Sequence, residues 1–201
     1  MVHFAAMKCV IIASGELEYS AHILNLIKGC SLIICADGGA AHLRKLNIMP
    51  HALLGDFDSM DDEDKRYFEK NGVTVLAFPP QKDKTDSELC IDYALEKKAT
   101  DITLLGFTGT RLDHTIANIF LLKKLSLQQI PARIINKTNE IHIVTRSITL
   151  KGEPGDYLSL IPVSEKVEGI TLKGLAYPLK NATIQMGSSL GVSNCFKEET
   201  A

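Results

Sequence analysis

Over roughly the first 130 residues, short apolar runs take turns with stretches of helical character, and this alternation limits the fold more than any other feature of the chain. Strand-like runs cover residues 8–13, 32–36, 52–54, 73–77 and 102–105, with helical segments between and after them at 17–28, 40–46, 61–70, 86–97 and 112–125. Repeated strand–helix–strand units build a parallel sheet, because the chain must cross over through a helix before the next strand can run the same way. In the last helix Leu112, Ile116, Ile119 and Phe120 fall at i, i+4, i+7 and i+8, which predicts an apolar face turned to the core.

After Pro131 the pattern changes. Short β-rich runs at 133–136, 140–144, 147–150, 157–162, 170–172 and 183–186 are punctuated by Gly152, Gly155, Gly169, Gly174, Gly187 and Gly191. Closely spaced strands with glycine turns predict an antiparallel sandwich or barrel. The expected architecture is α/β: an N-terminal Rossmann-like parallel sheet with helices on both faces over residues 1–130, then a C-terminal antiparallel β-sandwich domain over 131–201.

Composition narrows the function. A chain of 201 residues with net charge −2 and no Lys/Arg stripe lacks the electrostatic footprint of a nucleic-acid binder. Cys9, Cys30, Cys35, Cys90 and Cys195 are odd in number and scattered, with no CxxC pair and no Cys/His metal spacing, so they read as thiols of a reducing cytoplasm. The apolar opening, residues 1–13, has no basic start and is far too short to span a membrane. A second methionine, Met7, follows the first six residues and is a candidate natural start. Asn136-Lys137-Thr138 and Asn181-Ala182-Thr183 match the glycosylation pattern but carry no chemistry without secretion.

Chemistry is concentrated where strands are expected to stop, which is where parallel α/β sheets bind ligands. Asp37-Gly38-Gly39 follows the second strand, Gly55-Asp56-Phe57-Asp58-Ser59 the third, Asp83-Lys84-Thr85-Asp86 the fourth, and Arg111-Leu112-Asp113-His114 the fifth. Each has a structural reading. Asp37-Gly38-Gly39 suits a tight turn, Thr85 and Glu88 fit a capping box, Asp113 complements a helix dipole with Arg111 as its ion partner, and His114 suits packing or capping. Lys82 and Lys84 read equally as solvated lysines or phosphate ligands. The acidic run from Asp61 to Asp64 reads as a solvated first helical turn. It is the convergence that points to function: gathered carboxylates hold a hard cation against a polyphosphate, since Mg²⁺ takes oxygen ligands and bridges carboxylates to phosphates.

Other phosphate devices are missing. There is no GxxxxGK[ST] loop and no GxGxxG fingerprint. An EF-hand opening at Asp56 fails, because Asp61 occupies the glycine position and Tyr67 the bidentate glutamate position. An aspartyl-phosphate phosphatase with Asp56 as nucleophile ranks second, because Met60 stands where a small or β-branched residue is wanted.

Taken together, Ala36-Asp37-Gly38-Gly39, Leu54 to Ser59, Asp83 to Asp86, Gly106 to His114, Asn118, Tyr177-Pro178-Leu179, Gly187-Ser188-Ser189, Gly191 and Ser193-Asn194 resemble the thiamine pyrophosphokinase (thiamine diphosphokinase) family over nearly the whole chain. The resemblance implies transfer of a diphosphoryl group from ATP to thiamine with release of AMP. It also implies a homodimer with active sites between subunits. Carried over by position, Asp56, Asp58 and Asp86 are expected to be the metal and catalytic carboxylates, with Arg111 and Asp113 also catalytic. The nucleotide is expected at Asp37, Gly38, Gly39, Asp83, Lys84, Thr85, Arg111 and His114, and thiamine at Ser193 and Asn194. Cys195 stands where the family commonly has an acidic residue.

Physical reasoning supports a metal in such a site. Two like charges about 4 Å apart repel by roughly 4 kcal/mol at an effective dielectric near 20, so bare carboxylates would expel a triphosphate without Mg²⁺. Arg111 could grip phosphate oxygens bidentately, and either Asp86 or Asp113 could accept the hydroxyl proton. The competing readings are a diphosphokinase for another heterocyclic alcohol, such as a pterin, and a non-catalytic Mg-nucleotide-binding module.

Overall fold

The computed structural model describes residues 6–58, 60–81 and 83–201. It contains two compact units, the first ending at Thr145 and the second running from Arg146 to Ala201.

In the first unit, strands and helices alternate as the sequence predicts: β1 (Lys8–Ile12), α1 (Ala21–Lys28), β2 (Leu32–Ala36), α2 (Ala40–Leu46), β3 (Ala52–Gly55), α3 (Asp62–Lys70), β4 (Thr74–Ala77), α4 (Asp86–Glu96), β5 (Asp101–Leu105), α5 (Leu112–Leu127), β6 (Ala132–Ile135) and β7 (Glu140–His142). They form one seven-stranded sheet in the order β4-β3-β2-β1-β5-β6-β7. All pairings are parallel except β6 with β7. The order reverses between β1 and β5, which makes that junction the topological switch point.

Successive side chains of a strand face opposite ways, so each central strand feeds two cores. Cys9, Ile11, Ile34 and Leu54 pack with Cys90, Ile91 and Ala94 of α4 and Leu122 and Leu125 of α5. Val10, Ile12, Cys35 and Leu53 pack on the other face with Ile23 and Ile27 of α1, Leu43 of α2 and Phe68 of α3. Near-continuous burial of β1, β2 and β3 explains why they read as unbroken apolar runs.

In this unit two sequence expectations change. Residues 133–136 and 140–144, read as the opening strands of a second domain, supply β6 and β7 of the first sheet, and the compact unit extends past residue 130. β6 pairs with β5 through its own backbone groups, an attachment that residue pattern does not announce. The face of α5 carrying Leu112, Ile116 and Phe120 does not meet the core; Leu112 is 71% exposed, Ile116 53% and Phe120 49%. Leu122 and Leu125 are buried instead, with Ile119 packed beside them.

The second unit is antiparallel. β8 (Tyr157–Leu158) pairs with β11 (Asn194–Cys195), and β9 (Lys166–Ile170) pairs with β10 (Ala182–Gln185). Isolated bridges join Lys151 to Thr200 and Leu175 to Phe196. Leu175, Ile184 and Phe196 are its buried apolar residues. Residues 147–150, expected as a strand, form none. No helix among the described residues is long and apolar enough to cross a membrane.

Candidate active site

The carboxyl ends of β2, β3 and β4 bring three aspartates together. Asp37 opens a single 3₁₀ turn directly after β2 and is buried. Asp56 follows the last residue of β3 and is half-buried. Asp86 is the first residue of α4, half-buried beyond the loop that leaves β4. One carboxylate oxygen from each lies within 4.8 Å of the others. Around Mg²⁺, with bonds of about 2.1 Å, ligand oxygens stand roughly 3 Å apart when adjacent and about 4 Å when opposite. The three carboxylates therefore suit a hard divalent ion with a small inward adjustment.

Local sequence dictates each placement. Thr85 is the N-cap of α4, its hydroxyl accepting from the Glu88 amide at 3.3 Å, so Asp86 is held in the first turn. The reciprocal half of a capping box is not made, because the Glu88 carboxylate instead accepts from Lys124 Nζ at 2.9 Å. Phe57 has φ of 62°, in the left-handed region that a bulky residue rarely enters. That twist lets the Asp58 amide donate to Asp56 Oδ1 at 3.2 Å, closing a turn around the carboxylate. Asp58 itself is exposed and stands outside the three-aspartate group. Asp37, expected with the nucleotide, is in that group. The signal for it was available: an aspartate in the first position after a strand, the same offset as Asp56.

The loops at the switch point are tied by backbone. Gly15 donates to the Gly106 carbonyl and Glu16 to that of Thr108, both at 2.8 Å. Gly106 has φ of 71°, and a Cβ there would stand 2.3 Å from the Ala13 carbonyl oxygen, so only glycine allows this approach. Side chains latch the loop after β5: Asn118 Nδ2 donates to the Phe107 carbonyl at 2.8 Å and Asn136 Nδ2 to Thr108 Oγ1 at 3.1 Å. His42 of α2 was not singled out by sequence. Its Nε2 lies 2.8 Å from the Gly15 carbonyl and its Nδ1 2.7 Å from the Tyr19 hydroxyl, tying α2 to the loop after β1.

At the start of α5, Arg111 grips Asp113 with two hydrogen bonds, Nη2 to Oδ2 at 2.6 Å and Nε to Oδ1 at 3.3 Å. Hydrogen bonding from Arg111 holds the Asp113 carboxyl below the usual carboxylate range, and the carboxylate raises Arg111 in return. Both are exposed, as is His114. Asp83 is exposed, and Lys84 donates to Asp92 Oδ2 at 2.7 Å. Gly38 and Gly39 complete the 3₁₀ turn that leads into α2. Ser59 and Lys82 lie outside the described residues.

In the second unit, a cavity of about 300 Å³ is lined by Tyr177, Leu179, Ser189, Leu190, Val192 and Ser193, among others. Ser193 is exposed, with φ of 57°. Asn194 is buried; its Oδ1 accepts from the amides of Tyr177 and Cys195, both at 2.9 Å, and its Nδ2 donates to the Tyr177 carbonyl at 2.7 Å. Its carboxamide thus fixes the Tyr177 loop that borders the cavity.

Known proteins resemble this chain in sequence and in fold. Residues 23–134 match the family model for the thiamin pyrophosphokinase catalytic domain, and residues 138–201 that for the thiamin pyrophosphokinase vitamin B1 binding domain. The chain is 36% identical to a thiamine pyrophosphokinase of Bacillus subtilis, over 92% of this chain and 87% of that protein. The crystal structure of thiamine pyrophosphokinase from Bacillus subtilis superposes with a TM-score of 0.86 at 34% identity, covering 96% of this chain and 91% of that one. The thiamin pyrophosphokinase of Geobacillus thermodenitrificans superposes with a TM-score of 0.82 at 32% identity, covering 96% and 90%. With two successive family models spanning most of its length and carboxylates gathered at the strand ends, the chain belongs to the thiamin pyrophosphokinase family.

Proposed function

We propose that Asp37, Asp56 and Asp86 hold Mg²⁺ against the phosphates of ATP while the chain acts as a thiamine diphosphokinase. The observation that carries this reading is the approach of the three carboxylate oxygens to within 4.8 Å, from the segments that follow β2, β3 and β4, in a chain matching both family models. In the reaction, the thiamine hydroxyl oxygen bonds to the β-phosphorus of ATP, the bond from that phosphorus to the α,β-bridging oxygen breaks, and AMP leaves.

Bound Mg²⁺ would supply charge neutralisation at the phosphates. The protein's own share is positioning. The left-handed turn at Phe57 aims Asp56, and the Thr85 cap aims Asp86. The Arg111 guanidinium, at the end of the switch-point loop, has the planar fork that suits phosphate oxygens. Asp86 and Asp113 are the two candidate acceptors for the hydroxyl proton; Asp113 is held low by Arg111. The cavity beside Ser193, at about 300 Å³, lies at the small end of the usual range for small-molecule sites, and we assign it to thiamine.

Two further parts of the reading are a homodimer with active sites between subunits and a cytoplasmic location. The apolar stripe of Leu112, Ile116 and Phe120 left exposed on α5 supports association. The free cysteines support a reducing compartment.

Incubation of the purified chain with ATP, Mg²⁺ and thiamine should yield AMP and thiamine diphosphate in equal amounts. ADP as the nucleotide product, or no turnover with Mg²⁺ present, would refute the assignment.

A further inference from the structure

A four-member ion network ties together α4, α5 and Lys84 of the loop before α4. Lys124, from the second half of α5, reaches α4 and donates to Glu88 Oε1 at 2.9 Å and to Asp92 Oδ1 at 2.8 Å. The other oxygen of Asp92 accepts from Lys84 Nζ at 2.7 Å. Glu88 and Asp92 are four apart on one helix face, a spacing at which like charges repel. Asp86 adds a third carboxylate within the first two turns. Without a cation between Glu88 and Asp92, this acidic segment would be pushed apart; with Lys124 there, it is drawn against α5.

The network also brackets Asp86 in sequence. Lys84 precedes it by two residues and Glu88 follows it by two, and both are tied, directly or through Asp92, to the same ammonium. The side chains of Glu88, Asp92 and Lys124 are 27%, 32% and 33% exposed, so the pairs are partly shielded from solvent. Shielded, networked pairs hold geometry better than isolated surface pairs.

We propose that Lys124 is a positioning residue for Asp86: by bridging Glu88 and Asp92, and through Asp92 holding Lys84, it fixes the turn on which Asp86 meets Asp37 and Asp56. The proposal rests on the reading of those three aspartates as a metal site. Lys124 contacts the carboxylates of Glu88 and Asp92. Its effect on metal binding runs through where the Asp86 carboxylate stands.

The test is Mn²⁺ binding to the full chain, followed by electron paramagnetic resonance, alongside thermal unfolding and amide hydrogen exchange in the first turn of α4. Lys124→Met should weaken Mn²⁺ binding about tenfold and speed exchange at residues 86–89, while Lys124→Arg restores both, since a guanidinium can span the same two carboxylates. If Lys124→Met fails to fold, Asp92→Asn, which loosens Lys84 and one of the two ties of Lys124 while leaving the tie to Glu88, should give the same weakening in milder form. A folded Lys124→Met or Asp92→Asn protein that binds Mn²⁺ as the wild type does would overturn the proposal. A wild type that binds no Mn²⁺, or whose binding survives Asp56→Asn, would instead overturn the metal reading on which it rests.

Discussion

A Cβ placed on Gly55 would stand 2.6 Å from the Cβ of Asp37, so the last residue of β3 must lack a side chain for Asp37 to lie where it does. The contact is between neighbouring strand ends, with Ala36 of β2 registered against Leu54 of β3. Gly55→Ala should therefore displace Asp37 while leaving both strands paired. Misplacement by about 1 Å can cost on the order of 100-fold in rate, and AMP release by the variant should fall by about that factor with Tm little changed.

The three gathered carboxylates should be unequal to Asp58. Asp37→Asn and Asp56→Asn are each expected to reduce turnover by two to three orders of magnitude, in the range seen when one transition-state contact is deleted. Asp58→Asn, with its side chain exposed and outside the group, should cost much less. Chelation of divalent metal should abolish AMP release from the wild type. Steady-state AMP release by the three variants, compared at saturating Mg²⁺, decides the ranking.

Burial alone would raise the Asp92 carboxyl, but hydrogen bonds and charge from Lys124 and Lys84 outweigh it and hold it below its ordinary value. A carboxyl depressed in the folded state adds stability at neutral pH. That contribution is lost as pH falls through the unfolded value, about 3.9, toward the lower folded one. Urea unfolding of wild type and Asp92→Asn should show their largest difference near pH 7 and one that shrinks steadily as pH falls below about 4.

Ser193 and Asn194 should separate by type of effect. Ser193→Ala is expected to raise the KM for thiamine several-fold with the KM for ATP unchanged. Asn194→Ala strands the Tyr177 amide and carbonyl and the Cys195 amide, and should cost about 1–3 kcal/mol of stability. Denaturant midpoints alongside KM values for both variants distinguish them.

Much of this was written in the residues. Helix 40–46 and strand 32–36 have the bounds expected from pattern, because local periodicity and turn residues decide them. Thr85 caps α4 as its sequence context implies. What escaped depends on the rest of the fold. Helix α5 has two candidate stripes, and the core takes the one with Asn118 and Thr115, because their polar groups are needed by Phe107 and Gly109 of the adjoining loop. Apolar spacing at Leu112, Ile116 and Phe120 carries no information about that need. Likewise the pairing of β6 with β5 joins backbone groups about thirty residues apart, and no pattern within 132–135 reveals it. For the site, the acidic motifs located the loops. Which aspartates face inward was settled by the left-handed Phe57 and the small Gly55, both matters of backbone geometry.

The three clustered aspartates come from the segments that follow β2, β3 and β4, spanning positions 37 to 86, and they can meet only once those strands are in register. Cation affinity is therefore a late property of the chain, acquired when the last of these crossovers closes. A metal-sensitive signal followed during refolding would time the arrival of native topology rather than early collapse.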